Sequence, residues 1–558
     1  MFFEKLESRQ LMSGTAYYVS PTGNDPALPA GAAQLNLAQV NATNFLPGDS
    51  ILFQENSTFN GGLVFNASDV GGDGKTSSPI VINTYDTSSG TLLIGAGKAT
   101  LSAGNGNGIL ATNTAGFQIS NLIITGSGQA NNSYNGISFD NNLAGNKQLP
   151  YVHIDSVMVS GFGKFGITIG GSNGKSGFSD VSITNTVSHD NIVGGIETHG
   201  VFSGSATTYA NGGVTLAYDT VYNNTGYANS SNHVGDGIVL SDVQGGTIDH
   251  CVAYNNGQAN THNGGPVGIW AWDSDSITIQ YCQSYSNHTN SSSDGDGFDF
   301  DGGVTNSLMQ YNYSHDNDGC GYGIFEFKGA RAYHNNVYRY NISVNDGRKN
   351  GYAGFQMWSG SSSGIQNVQV YNNTVYMSAV TSKPTKTIVN PTGAVYLQTA
   401  TCTNVNFRNN IFTASGAMNL YTADSGSKGV VFQRNDWFNY TNTLSFKQGA
   451  TVYTSLTSWA TAAKQEENPI GNSKSIIGLS IDPGFVVNPS VQGVSDASGF
   501  KLQATSPLID TAWNLASLFG GTNSADGATA YFNNNYDFGN QSIPSNGKYD
   551  LGAWEYQS

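Results

Sequence analysis

The sequence predicts an all-β fold, a solenoid in which coils of about 30 residues stack on one another, and three observations predict it. Short segments ending in asparagine recur: "VSHDN" (187–191), "VYNN" (221–224), "AYNN" (253–256), "SYSN" (284–287) and "SHDN" (314–317). They set Asn191, Asn224, Asn256, Asn287 and Asn317 30–33 residues apart. A second series keeps step with them: "GITI" from 166, "GIET" from 195, "GIVL" from 237, "GIWA" from 268, "GFDF" from 297 and "GFQM" from 354. Within both series apolar residues alternate with period two, as half-buried strands require, and the segments are too short and too β-branched for helices. A unit of this size cannot bury its own apolar face, so neighbouring coils must stack. Each repeated asparagine is expected at a turn, in the left-handed region, bonding the backbone of the next coil.

Composition agrees with many turns and few charges. Charged residues make up 11% of the 558, against roughly 25% in ordinary soluble domains, and glycine reaches 71. Hydrophobic residues at 38% and aromatics at 11% set the chain apart from disordered sequences. The net charge of −16, without any basic run, excludes a nucleic-acid partner and argues against an anionic membrane surface. No apolar stretch approaches the ~20 residues of a membrane span. Cys251 and Cys282 fall at the same point of a 31-residue period, in "HCVAYNN" and "YCQSYSN". A ladder of two buried thiols is expected there, with a disulfide as the alternative.

The repeat pattern resembles the right-handed parallel β-helix of pectate lyases and related carbohydrate-active proteins. The opening "YYVSPTGNDPA…FLPGDSILFQENSTFNGGLVF" and the ending "IDPGF…SPLID…YDLGAWEY" are similar to the terminal parts of such chains. "MFFEKLESRQLMSG" resembles the short leaders of exported bacterial surface proteins. The organisation expected is a leader over 1–14, an N-terminal cap region over 15–95, the β-helix over 96–460 and a C-terminal cap region over 461–558. The protein is expected to be a secreted or surface-exposed monomer whose partner is a polysaccharide.

Alternation turns the residue after each apolar "G-I/F" position outward, and the residue two further on with it. The outward pairs are then Glu197/His199, Val239/Ser241, Trp270/Trp272, Asp299/Asp301, Glu326/Lys328 and Gln356/Trp358. In "GYGIFEFKG" this choice puts Phe325 and Phe327 inward, because the other register buries Glu326. Trp270, Trp272 and Trp358 form sugar platforms in this reading, with Glu197 and His199 as further substrate-binding residues. A lone His on a polar face is as readily a bystander, and an exposed Trp can simply pack beneath a loop. Asp294 and Asp296 precede glycines and suit a turn. Asp299 and Asp301, two acids on one strand, need a cation or a chemical purpose.

Two chemistries fit that cluster. Asp294, Asp296, Asp299, Asp301 and Glu326 could supply oxygen ligands to Ca²⁺, with Lys328 as the base of a β-elimination and Arg348 (Arg331 in reserve) clamping a uronic carboxylate. Family-nine pectate lyases are similar here: their calcium aspartates lie in a "D-D-G-x-D" stretch, of which Asp296 and Asp299 match two while Gly295 replaces a third. Lys328 stands about two positions from that family's lysine. The alternative is a glycoside hydrolase using Asp299, Asp301 and Glu326. Asp299 and Asp301 would be about 7 Å apart, within the inverting range, and Asp299 and Glu326, on adjacent coils, about 5 Å, the retaining separation. A non-catalytic glycan-binding surface protein would keep the tryptophans and need no base. Lys328 beside acids is, most simply, an ion-pair partner.

Overall fold

The computed structural model describes residues 14–361, 364–379, 392–441, 443–470, 474–492, 496–519 and 535–557. Of the expected leader 1–14, residues 1–13 lie outside the described residues. The chain forms two compact units. The first holds Met1–Asn191, Ile196–Val201 and Tyr209–Thr220; the second holds Ile192–Gly195, Phe202–Thr208 and Val221–Ser558.

In the first unit every coil contributes strands to parallel sheets, and like residues stack from coil to coil. Ile82, Ile119, Ile154, Ile183 and Leu216 occupy one ladder position and are all buried. Pairing starts at Ala16–Val19, parallel to Ser50–Gln54, which in turn pairs with Ile80–Asp86. The coils therefore begin well ahead of residue 96. The early ones were illegible because they lack the asparagine step that marks the later ones.

The second unit carries two internal ladders. Asn224, Asn256, Asn287 and Asn317 each donate a backbone and a side-chain N–H to the next ladder residue, and the series ends on Asp346. A parallel series runs Cys251, Cys282, Asn312, Asn341, Asn373, Asn410, Asn435 and ends on Glu466. The left-handed residue is not the ladder asparagine but the one before it, for example Asn223, Asn255, Ser286 and Asp316. That kink turns the following side chain inward, where it satisfies buried backbone N–H groups. Cys251 and Cys282 stand in this ladder as thiols and not as a disulfide, the Cys251 N–H donating to the Cys282 Sγ at 3.3 Å.

Parallel coil pairing ends at Phe446–Gln448, where Thr451–Tyr453 turns back antiparallel. Helix Leu456–Ala463, capped by Ser455, then places Trp459 flat on Phe446 at 4.6 Å. Beyond it, the segment expected as a C-terminal cap does something different. Phe485, Phe500, Leu502, Leu508 and Leu551 pack on Tyr313, Ile342, Tyr376 and Ile411, so this segment covers the outer face of a sheet. Those outward residues are apolar, and such a face must be covered. Among the described residues no helix is long and apolar enough to cross a membrane.

Candidate active site

Six strands of the second unit carry the site: Asp236–Ser241, Val267–Trp272, Asp296–Phe300, Tyr322–Glu326, Ala353–Ser359 and Gly393–Gln398. Their inward ladder runs Ile238, Ile269, Phe298, Tyr322, Phe355 and Val395. The outward ladder beside it runs Val239, Trp270, Asp299, Gly323, Gln356 and Tyr396. Two residues on, Phe325 pairs with Trp358, which in turn pairs with Gln398.

This register corrects the expectation for 322–328. Phe325 and Phe327 face outward and line the cleft, and Gly323, not Glu326, stands beside Asp299. Glu326 is 1% exposed and, by alternation, lies on the opposite side of its strand from Phe325, although its charge still raises the Asp301 pKa. Its burial is tolerated because Ser359 Oγ donates to Oε2 at 3.3 Å and Ser361 adds hydrogen bonds, while desolvation still raises its pKa. Lys328 is exposed on the turn after the strand, outside the cleft. Arg348 donates from Nε to Asn345 O and from its terminal nitrogens to Ser378 O and Oγ, all within 2.9 Å, so it braces a turn rather than reaching a substrate. Arg331 is buried against Asp242 and Asp273.

The cleft itself encloses about 660 Å³ and gathers Trp270, Trp272, Trp358, Asp294, Asp299 and Asp301. Trp272 lies in an aromatic wall with Phe202 and Phe327, ring centroids 5.5 and 6.2 Å away. Trp270, 4% exposed, meets the edge of His233 at 5.0 Å. The sequence reading missed His233, whose Nδ1 is 2.7 Å from Asp236 Oδ2. It also missed His262, Tyr352 and Gln398 in the lining. A signal existed for the first pair: "HVGDGI" at 233–238 repeats the "DGDGF" of 294–298. Asp236 and Asp296 hold equivalent places at the strand start, each accepting a backbone N–H from the next coil, of Val267 and Cys320 respectively.

The four aspartates sit in different environments. Asp299 is 3% exposed, with Oδ1 buried and without a partner among the described residues. Burial, then the charges of Asp301, Asp296 and Asp294, push its pKa well above the usual carboxylate range. Asp301 accepts the Gly302 N–H at 2.7 Å, and burial pushes it up to about 6. Burial takes Asp294 up to about 7 despite the N–H of Gly265 on its Oδ2. Asp296 is raised well above the usual range by burial and by Asp294.

The five residues expected to hold Ca²⁺ do not fit that task together. Strand alternation puts Asp296 on the opposite side from Asp299 and Asp301, and Glu326 is turned to Ser359. Among the described residues no group of three or more His, Cys, Asp or Glu side chains is placed to hold a metal ion. Glu197 and His199 belong to the first unit. There Thr168 Oγ1 lies 2.6 Å from Glu197 Oε1 and 3.1 Å from His199 Nδ1, and the His199 Nε2 is 3.9 Å from Asp140 Oδ1.

Residues 235–375 match the family model described as "Right handed beta helix region", and the expected right-handed parallel β-helix is the fold of the chain. No curated protein sequence is a detectable relative. Among solved structures, the chain is similar to a GH136 lacto-N-biosidase from Eubacterium ramulus at 15% identity, covering 76% of this chain and 68% of that one, with a TM-score of 0.48. It is similar to the pectate lyase Pel9A at 17% identity, 97% and 96% coverage and a TM-score of 0.41. A rhamnogalacturonan lyase aligns at 13% identity over 68% of this chain and 85% of its own, with a TM-score of 0.36.

Proposed function

We propose that the protein hydrolyses a glycosidic bond, with Asp299 as general acid and Asp301 as general base. The observation that carries this reading is the pair itself: one carboxyl group on the strand Asp296–Phe300 and a second, two residues on, just past its end, both lining an aromatic-walled cleft in unlike environments. Two titratable groups whose surroundings push them apart divide the acid and base roles. Asp299, whose pKa burial raises well above the usual carboxylate range, is the acid that gives its proton to the leaving oxygen. Asp301, at about 6, is ionised at neutral pH and takes a proton from the attacking water. Their spacing of about 7 Å, from the rise of a strand, leaves room for that water on the far face of the sugar. The predicted outcome is inversion at the anomeric carbon. Trp272, Phe202, Phe327 and Trp358 supply faces on which pyranose rings stack.

The β-elimination expected from the sequence loses its support, since Lys328 and Arg348 lie away from the carboxylates. Export to a glycan outside the cell belongs to the same proposal. The test is digestion of a panel of neutral and uronic oligosaccharides with and without a chelator. Reducing ends should appear without unsaturated ends, unaffected by chelator, and NMR should show the inverted anomer. Asp299→Asn and Asp301→Asn should each remove the activity. Unsaturated products lost on chelation would instead restore the calcium lyase.

A further inference from the structure

Four residues that line the cleft each carry a buried polar atom without a hydrogen-bond partner among the described residues: the indole N–H groups of Trp270 and Trp272, Asp299 Oδ1 and Gln356 Oε1. The Gln356 amide is held in place by its own Nε2, which donates to Gln398 Oε1 at 2.8 Å. Buried polar groups left unpaired are costly and rare in folded proteins, so a cluster of them in one cavity marks groups that a ligand completes. Here the set is mixed, with two donors and two acceptors. Only a ligand whose groups both donate and accept can satisfy it, which is the property of a hydroxyl. The charges narrow the class further. No lysine or arginine lines the cleft, while Asp294, Asp299 and Asp301 do. A uronic carboxylate entering it would meet three acids and, besides the His233 and His262 imidazoles, no basic side chain.

We infer that the cleft is built for an uncharged glycan, whose hydroxyls accept from the Trp270 and Trp272 indoles and donate to Asp299 and Gln356. This deepens the hydrolytic reading of the same cleft, and its failure is separable from that reading. The experiment is calorimetric titration of the full chain carrying Asp301→Asn, which blocks turnover. The probes are two sets of oligosaccharides: neutral ones (xylo-, manno-, galacto- and N-acetylhexosamine-containing) and uronic ones (galacturonate, mannuronate and guluronate). At least one neutral oligosaccharide should bind, and the uronic set should not. Adding Trp272→Phe keeps a ring face but removes the N–H, and should weaken binding about three- to tenfold. Gln356→Met, which removes the acceptor at similar length, should weaken it by a similar factor.

Uronic oligosaccharides binding as tightly as neutral ones would overturn the inference. So would silence across both sets, or unchanged affinity in both variants. A neutral oligosaccharide that binds but is left intact by the unsubstituted chain sinks the hydrolase and leaves the inference standing.

Discussion

Gly323 stands directly opposite Asp299 on the neighbouring coil, and a Cβ at that glycine would lie 2.5 Å from the Asp299 Oδ1. The other side of Asp299 is taken by Trp270 at the same ladder position. The buried carboxyl group thus lies between Trp270 and Gly323, in space that exists only because residue 323 has no side chain. Its backbone is not in the left-handed region, so alanine is conformationally acceptable there.

Gly323→Ala should therefore displace the Asp299 carboxyl group without unfolding the coil. A misplacement of this size at a reacting group costs about 100-fold in rate. The expected result is a kcat reduced by that order, with a thermal midpoint equal to or above that of the unsubstituted protein. A variant with full activity would remove Asp299 from the chemistry.

The pH dependence follows from the two carboxyl groups. Asp301 must be ionised to act as base, so activity should rise through about 6, the value to which burial brings it. Asp299 must be protonated, and burial raises its pKa well above the usual carboxylate range, so activity should fall again on the alkaline side of the profile as Asp299 ionises. The profile of kcat/KM for the free enzyme checks this. An acid limb near the ordinary aspartate pKa of about 4 would contradict the burial of Asp301.

Much of the fold was legible because the ladder needs one inward acceptor per coil, and evolution here used asparagine repeatedly enough to leave a period. Trp270, Trp272, Trp358, Asp299 and Asp301 line the cleft, on the side to which alternation counted from the glycine near each strand's start turns them. The strand at 322–326 was misplaced, because "GYGIFEFKG" is aromatic in both registers. The deciding fact was hidden: Ser359 and Ser361, over 30 residues away, hydrogen-bond Glu326 and make its burial tolerable. The outer cover was equally hidden, since Phe485 and Leu551 meet Ile342 and Ile411 across long stretches of chain.

Those misplaced residues make a clean contrast. Lys328 is exposed and away from the cleft, so Lys328→Ala should leave kcat within about twofold and the melting curve in place. Arg348 makes three hydrogen bonds to the turn at Asn345 and to Ser378. Arg348→Ala should cost about 1–3 kcal/mol of stability, while KM of the remaining folded protein stays unchanged. Denaturant melts beside steady-state rates separate the two effects. A lost kcat in Lys328→Ala with normal stability would return that lysine to the site.

Two buried acids with raised pKa values should respond in opposite ways to the same amide substitution. Asp296 uses one oxygen to accept the Cys320 N–H and leaves Oδ2 buried without a partner among the described residues. Its folded pKa lies above the unfolded one, so the stability it contributes is full below about 4 and is lost as pH rises toward the folded value. Asparagine cannot ionise, and Asp296→Asn should stabilise the protein at pH 7 while changing little at pH 4. Glu466 is also raised, to about 7, but both its oxygens are used. Oε1 accepts from Asn435 Nδ2 and Trp437 Nε1 at 2.8 Å each, and Oε2 from the Asn435 N–H. It ends its ladder because the last member must accept and need not donate. Glu466→Gln forces an NH₂ against one of those donors, and should destabilise by about 1–3 kcal/mol despite removing a charge. Urea melts at pH 4 and pH 7 read both variants, and equal signs at pH 7 would refute the assignment of one acid as an unpaired burden and the other as a structural terminus.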